Sequence, residues 1–272
     1  MSAPLGQNFL NNKKIAQKII QVSKIKKGDS IIEVGPGKGI LTQLLIKRGA
    51  KIIAIELDQE LFLKLKYKFK KNKNLFLLNE DILAINFNKL IKDQKINDYK
   101  IVANIPYYIT SKIIRLFLES RFSPQKMILM VQKEVANRMV APMGKTSKLS
   151  IMVQYYSVPK FLFSVSSENF SPQPKVDSAI IELKIKKQFL NLTEEKFKKN
   201  KEKSKKFFRV VKVGFASRRK TLLNNLKNGF SHLRKEKIIQ IMEEINLNKN
   251  TRAQELSLEK WKKLVKQLEV FL

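Results

Sequence analysis

With 272 residues and 43% apolar content, the chain can form one large α/β domain with a small appendage and bury a core. Cysteine is absent, which excludes disulfides, thiolate metal sites and a cysteine nucleophile. No apolar run approaches the roughly 18 residues that span a bilayer, and Met1-Ser2-Ala3-Pro4-Leu5 has no secretory pattern. The 55 basic against 23 acidic side chains leave a formal charge of +32, a field that favours a polyanion such as nucleic acid. The abundance of Lys, Asn and Ile leaves a merely solvated lysine surface as the alternative.

In chain order, Ile15, Ile19 and Val22 recur at helical spacing over 12–23. Ile31-Ile32-Glu33-Val34 is a buried-strand pattern that runs into glycines, and Leu41 to Ile46 turns helical until Gly49. A second strand, Lys51 to Ile55, ends at Glu56-Leu57-Asp58, and a lysine-rich helix extends to about Lys71. Leu75–Leu78 is a third strand ending near Asp81, and Ile101-Val102-Ala103 a fourth ending at Asn104. A helix from about Ser111 to Glu119 and a strand over Lys126–Val131 continue the alternation. Strand then helix, repeated, predicts a parallel sheet covered on both faces, with ligands beyond the carboxyl ends of the strands. Strands are also expected at Ser150–Ser157 and Ser178–Ile185, paired antiparallel. Residues 186–206 are lysine-rich with few apolar positions, and helical patterns follow from Phe207. The boundary is therefore placed between a sheet domain, 1–187, and a small all-helical domain, 188–272.

Glu33-Val34-Gly35-Pro36-Gly37-Lys38-Gly39 links a strand to a helix, where glycines admit a ligand close to the backbone. A glycine loop alone is a weak signal. Glu56 strengthens it, because it ends the next strand about 20 residues on, where a carboxylate can accept from both hydroxyls of a ribose. Asp81, at the third strand end, could accept from an adenine amino group. Asn104-Ile105-Pro106-Tyr107 then follows the fourth strand.

An exocyclic adenine amine is a poor nucleophile, and its lone pair is freed when acceptors pull the nitrogen towards tetrahedral geometry. Asn104 offers a side-chain carbonyl, Ile105 a main-chain carbonyl held by Pro106, and Tyr107 a ring for the flipped base. Together these features predict an S-adenosylmethionine-dependent methyltransferase acting on adenine N6, in either RNA or DNA.

Nearly end to end, the chain resembles the small-subunit ribosomal RNA adenine N6-dimethyltransferases. The resemblance rests on Gly6-Gln7-Asn8-Phe9-Leu10, the Glu33–Thr42 loop, Glu56-Leu57-Asp58, Asp81, Asn104–Tyr107 and Gln132-Lys133-Glu134-Val135. It continues through Phe170-Ser171-Pro172-Gln173-Pro174-Lys175-Val176-Asp177-Ser178, Phe215–Leu222 and Thr251–Ser257. It implies a Rossmann-like class I methyltransferase sheet with a helical C-terminal domain. It also implies cofactor contacts at Asn8, Leu10, Gly35, Glu56, Asp81 and Asn104, and no metal. The substrate implied is a pair of adjacent adenines near the 3′ end of 16S rRNA, methylated late in subunit assembly. A cytoplasmic monomer that needs no membrane is expected.

Phe170, before two prolines, is expected to sandwich the target base with Tyr107. Arg218-Arg219-Lys220 is expected on an amphipathic helix beside Phe215 and Leu222, as a phosphate-binding ridge. The family usually has Asn after the motif tyrosine, and Tyr108 stands there instead. Three alternatives share parts of this pattern: a large-subunit enzyme of the antibiotic-resistance type, a non-catalytic nucleic-acid-binding factor, and a nicotinamide dehydrogenase. For the last, the sole histidine, His232, is oddly placed in the helical part.

Overall fold

The structure, a computed structural model, describes residues 8–271, so Gly6 and Gln7 lie outside the described residues. Strand β1 (Phe9–Leu10) leads to α1 (Lys13–Ser23), which Asn12 opens by accepting from the N–H groups of Lys14 and Ile15. Next come β2 (Ser30–Val34), α2 (Ile40–Lys47), β3 (Lys51–Glu56), α3 (Gln59–Lys68), β4 (Leu75–Asn79) and α4 (Phe87–Asp93). They are followed by β5 (Lys100–Asn104), α5 (Thr110–Leu118), β6 (Lys126–Gln132), α6 (Lys133–Met139) and α7 (Lys148–Tyr156). After β7 (Ser157–Val165), β8 (Phe170–Ser171) and β9 (Ser178–Ile185), the chain continues as α8 (Glu194–Gly214), α9 (Leu222–Gly229), α10 (Lys235–Glu244) and α11 (Leu258–Leu268).

The 7-stranded sheet runs β4-β3-β2-β5-β6-β9-β7. Its strands are parallel from β4 to β6, and β9 pairs antiparallel with both β6 and β7. Parallel strands covered on both faces read as continuous apolar runs, and Ile31, Ile32, Ile52, Ile53, Val102 and Ile128 are all buried. The chain leaves β2 towards β3 and β4, then returns to β5 on the other side. The carboxyl ends of β2 and β5 therefore diverge at a topological switch point, the place where such sheets bind ligands.

The chain divides into two compact units, one ending at Asn191 and interrupted after Ala136, the other made of Asn137–Tyr156 and the residues from Leu192. A single break near residue 188 therefore misses that 137–156 belong with the helical part. The strand expected over Ser150–Ser157 is instead helix α7, with Ser147 Oγ accepting from Ser150 N–H (3.2 Å). Ile151, Met152, Val153 and Tyr156 are all buried, and a short run that is apolar all round looks the same as helix or as strand. Helix α8 also starts well before Phe207, because Thr193 caps it and Glu194 and Glu195 occupy its first turn. The second unit is built on its own core, in which Trp261 is fully buried and stacks on Phe215 at 5.5 Å between ring centroids.

Arg218, Arg219 and Lys220 are exposed as expected, but they lie on a turn between α8 and α9 rather than on a helix. Two caps explain the break. Phe215 ends α8, and Thr221 starts α9 by accepting from Asn224 N–H. Buried Asn225 then ties the turn from inside. Its Nδ2 donates to the carbonyls of Gly214 (2.6 Å) and Ser217 (2.9 Å), while its Oδ1 accepts from Ser217 N–H (3.2 Å). Every polar group of that side chain is thus used in holding one loop shape.

Candidate active site

At the switch point the first unit carries an open cleft. Asn8, Leu10, Gly35, Glu56, Asp81, Asn104, Ile105, Pro106 and Tyr107 all line it. These residues come from β1, from the loop after β2, and from the ends of β3, β4 and β5. The topology of the large sheet brings the strand-end residues together, and the pairing of β1 with β8 adds Asn8 and Leu10.

The loop after β2 approaches the cleft with bare backbone. Gly35 (φ +64°) and Gly37 (φ +57°) occupy the left-handed region, which a side chain rarely adopts. A Cβ on Gly37 would lie 3.0 Å from the Phe9 ring. Glu56 is 3% exposed and fastens this loop to β3: Oε2 accepts from Gly37 N–H (2.9 Å) and Oε1 from Asp58 N–H (3.1 Å). A carboxylate has about four acceptor positions, so the Gly37 and Asp58 amides do not use it up. Burial pushes the Glu56 carboxyl up, the Asp58 and Gly37 amides oppose that rise, and the Asp58 charge adds to it. Asp81 is half-buried at the end of the next strand, its Oδ1 accepting from Leu83 N–H (2.8 Å).

On the other wall, Asn104 Nδ2 donates to the main-chain carbonyl of Asn8 (3.2 Å). That bond fixes the side-chain amide and leaves Oδ1 as the end free to accept. Ile105 is buried, and its N–H donates to the Met130 carbonyl on β6 (3.2 Å). The Pro106 carbonyl accepts from Ile109 N–H (3.2 Å) and from Thr110 Oγ1 (3.3 Å), closing a 3₁₀ turn over Tyr107–Ile109. The Tyr107 hydroxyl lies 2.6 Å from Ser178 Oγ on β9, which anchors the ring. Its phenol is pushed up by burial, with the Ser178 hydrogen bond pulling the other way.

Phe170 corrects an expectation. It is 3% exposed and packs in the core with Leu10, Val165 and Ile180, not among the residues that line the cleft. The cause is local pairing: β8 runs antiparallel to β1 with Leu10 opposite Phe170, and Asn12 Nδ2 donates to Asn169 Oδ1 (2.7 Å). In this pairing Phe170 points inward while Ser171 is exposed. As placed, Phe170 anchors β8 rather than offering a ring to a base.

Glu33, which opens the glycine-loop segment but is not among the expected site residues, also lines the cleft and is 1% exposed. Burial drives its carboxyl up to about 8, with neighbouring Thr42 opposing the rise and the Glu56 charge adding to it. An acidic residue inside an otherwise apolar buried strand was the signal that could have marked it. The protonated form is favoured by folding, so stability is expected to fall as pH rises from about 4.5 towards about 8. Glu33→Gln should remove that slope. Thermal unfolding is expected to show the variant gaining on the wild type by a few kcal/mol more at pH 8 than at pH 5, and equal gains at both would refute the assignment.

The arrangement can hold an adenosine-bearing ligand on bare backbone and carboxylates, and can present acceptors to an incoming amine. Comparison with known proteins agrees with it. Residues 2–267 match the family described as ribosomal RNA adenine dimethylase. A ribosomal RNA small subunit methyltransferase A from Fusobacterium nucleatum is 41% identical over 267 residues, covering 97% of this chain and 96% of the relative. The crystal structure of a dimethyladenosine transferase from Plasmodium falciparum superposes with a TM-score of 0.79 at 27% identity, covering 96% of this chain and 98% of that one. The 23S rRNA methyltransferase ErmE shares the fold at TM-score 0.71 and 23% identity, over 96% of this chain and 100% of its own. The sheet order, with β9 alone running against the other strands, is accordingly that of a class I methyltransferase followed by a helical C-terminal part, and the chain belongs to the ribosomal RNA adenine dimethylase family.

Proposed function

We propose that the cleft binds S-adenosylmethionine and that the enzyme dimethylates N6 of two adjacent adenines near the 3′ end of small-subunit rRNA. The substrate proposed is an immature subunit late in assembly, met by a monomeric enzyme in the cytoplasm. The observation that carries this reading is the opening of Asn104-Ile105-Pro106-Tyr107 into the same cleft as Glu56. An amine acceptor site and an adenosine cradle thus share one space.

The residues present fit the cofactor. Gly35 and Gly37 leave room for close approach, Glu56 retains acceptor positions for ribose hydroxyls, and Asp81 is available to an adenine amino group. When bound, S-adenosylmethionine supplies a methyl group on a sulfonium, which leaves without its bonding electrons. The chain's own task is to make a weak nucleophile competent. Asn104 Oδ1 and the Ile105 carbonyl accept from the N6 hydrogens, draw the nitrogen out of conjugation and aim its lone pair. Tyr107, tethered to Ser178, offers its ring to the extruded base. Arg218, Arg219 and Lys220, exposed on the Asn225-held turn, suit contacts with RNA phosphates.

The test is incubation of undermethylated small subunits with the protein and S-adenosylmethionine, followed by mass spectrometry of nucleosides. N6,N6-dimethyladenosine in small-subunit rRNA is the expected product. Methylation confined to large-subunit rRNA, or cofactor binding with no transfer, would overturn the proposal.

A further inference from the structure

Tyr108 is one of the large apolar side chains left exposed, at 61%, and it stands at the cleft rather than on a distant face. Scattered exposed aromatics are ordinary on protein surfaces, so position and support have to decide. The backbone that carries Tyr108 is held at both ends of its turn. Pro106, at the N-terminal end, accepts from Ile109 N–H and from Thr110 Oγ1, and Ile105 is pinned to Met130. Successive residues of a 3₁₀ turn point about 120° apart. The two neighbouring rings accordingly differ: Tyr107 is half-buried with its hydroxyl on Ser178, whereas Tyr108 projects into solvent. Phe170, on the strand paired with β1, is withdrawn into the core.

We propose that Tyr108 is a substrate-contacting residue: a stacking platform at the cleft mouth for the nucleotide adjoining the target adenine, which stays outside while its neighbour is extruded onto Tyr107. This rests on the adenine methyltransferase reading above. Extruding one base unstacks the next, and an exposed, backbone-anchored ring replaces the lost stacking partner. Because every base has a π-face, the platform serves equally when either of two adjacent adenines is the target. It thereby accepts the one-nucleotide shift between the two targets. A hydroxyl is not needed for this, only a ring, so the aromatic character of position 108 is what counts.

Two measurements test the proposal, each with Tyr108→Ala and Tyr108→Phe. In the first, a short RNA hairpin carries adjacent loop adenines, one replaced by 2-aminopurine, whose fluorescence is quenched by stacking. Wild type and Tyr108→Phe are expected to quench it, and Tyr108→Ala to lose most of that quenching. In the second, methyl transfer to undermethylated small subunits is followed as KM and kcat. Tyr108→Ala is expected to raise KM about tenfold with kcat within about twofold, while Tyr108→Phe matches the wild type. S-adenosylmethionine affinity by calorimetry is expected to be the same in all three proteins, which verifies that the variants are folded. Unchanged quenching and KM in Tyr108→Ala, or a Tyr108→Phe as impaired as the alanine variant, would overturn the platform. If the wild type transfers no methyl group to adenine yet only Tyr108→Ala loses quenching, the methyltransferase reading fails and the platform stands.

Discussion

Asn104→Ala is expected to lower the rate of methyl transfer by on the order of 10²- to 10³-fold, the cost of removing one pre-aligned hydrogen-bonding group from a reacting centre. The loss should fall on kcat, because the acceptor matters most when N6 becomes tetrahedral and its hydrogens become more acidic. Cofactor binding should stay measurable by calorimetry, since Glu56 and the glycine loop are untouched. Asn104→Asp would keep an acceptor but lose the donation of Nδ2 to the Asn8 carbonyl, and a carboxylate would face that carbonyl instead. It is therefore expected to be impaired as well. Near-wild-type turnover in Asn104→Ala would remove the proposed mechanism.

Glu56→Ala should act on the cofactor rather than on the amine. Each hydrogen bond to a charged group contributes about 1.5–3 kcal/mol, so losing the ribose acceptors predicts a weakening of roughly ten- to a hundredfold in affinity. Part of that loss is indirect, because Gly37 N–H and Asp58 N–H also lose their acceptor and the loop loosens. Glu56→Gln separates the two contributions in part, since it keeps one acceptor oxygen. The raised pKa of Glu56 adds a pH signature. The carboxylate is the accepting form, so affinity in the wild type should begin to fall on acidification at a higher pH than for an ordinary glutamate. Titration calorimetry across that range would show it, and unchanged affinity in Glu56→Ala would exclude the ribose role.

Much of this site was legible because each contributing residue stands at the end of a strand. The alternation of strand and helix placed Gly35, Glu56, Asp81 and Asn104 at one edge of a sheet without knowledge of any contact. Asn8 and Leu10 were not legible from spacing; only the family resemblance pointed to them. The structure supplies the reason: β1 is a two-residue strand that pairs with β8, 160 residues away in number, through a register no local pattern encodes. That same long-range pairing misled the reading of Phe170, whose stiff proline-rich flank suggested display but whose partner Leu10 draws it inward. Arg218–Lys220 were read correctly as outward-facing but on the wrong element, since the stop at Phe215 depends on a buried Asn225 three-dimensionally behind it. Helix α7 was missed for a different reason, the degeneracy of short apolar runs.

The bond between Asn104 and position 8 runs to a main-chain carbonyl. No exchange of side chain at position 8 can delete it. What can disturb it is displacement of β1, and the Phe9 ring lies against the space where a Cβ on Gly37 would fall. A saturation mutagenesis scan would thus score the orienting residue as dispensable for this bond and blame a glycine that never touches the amide, so tolerance at a position here measures its side chain and not its backbone.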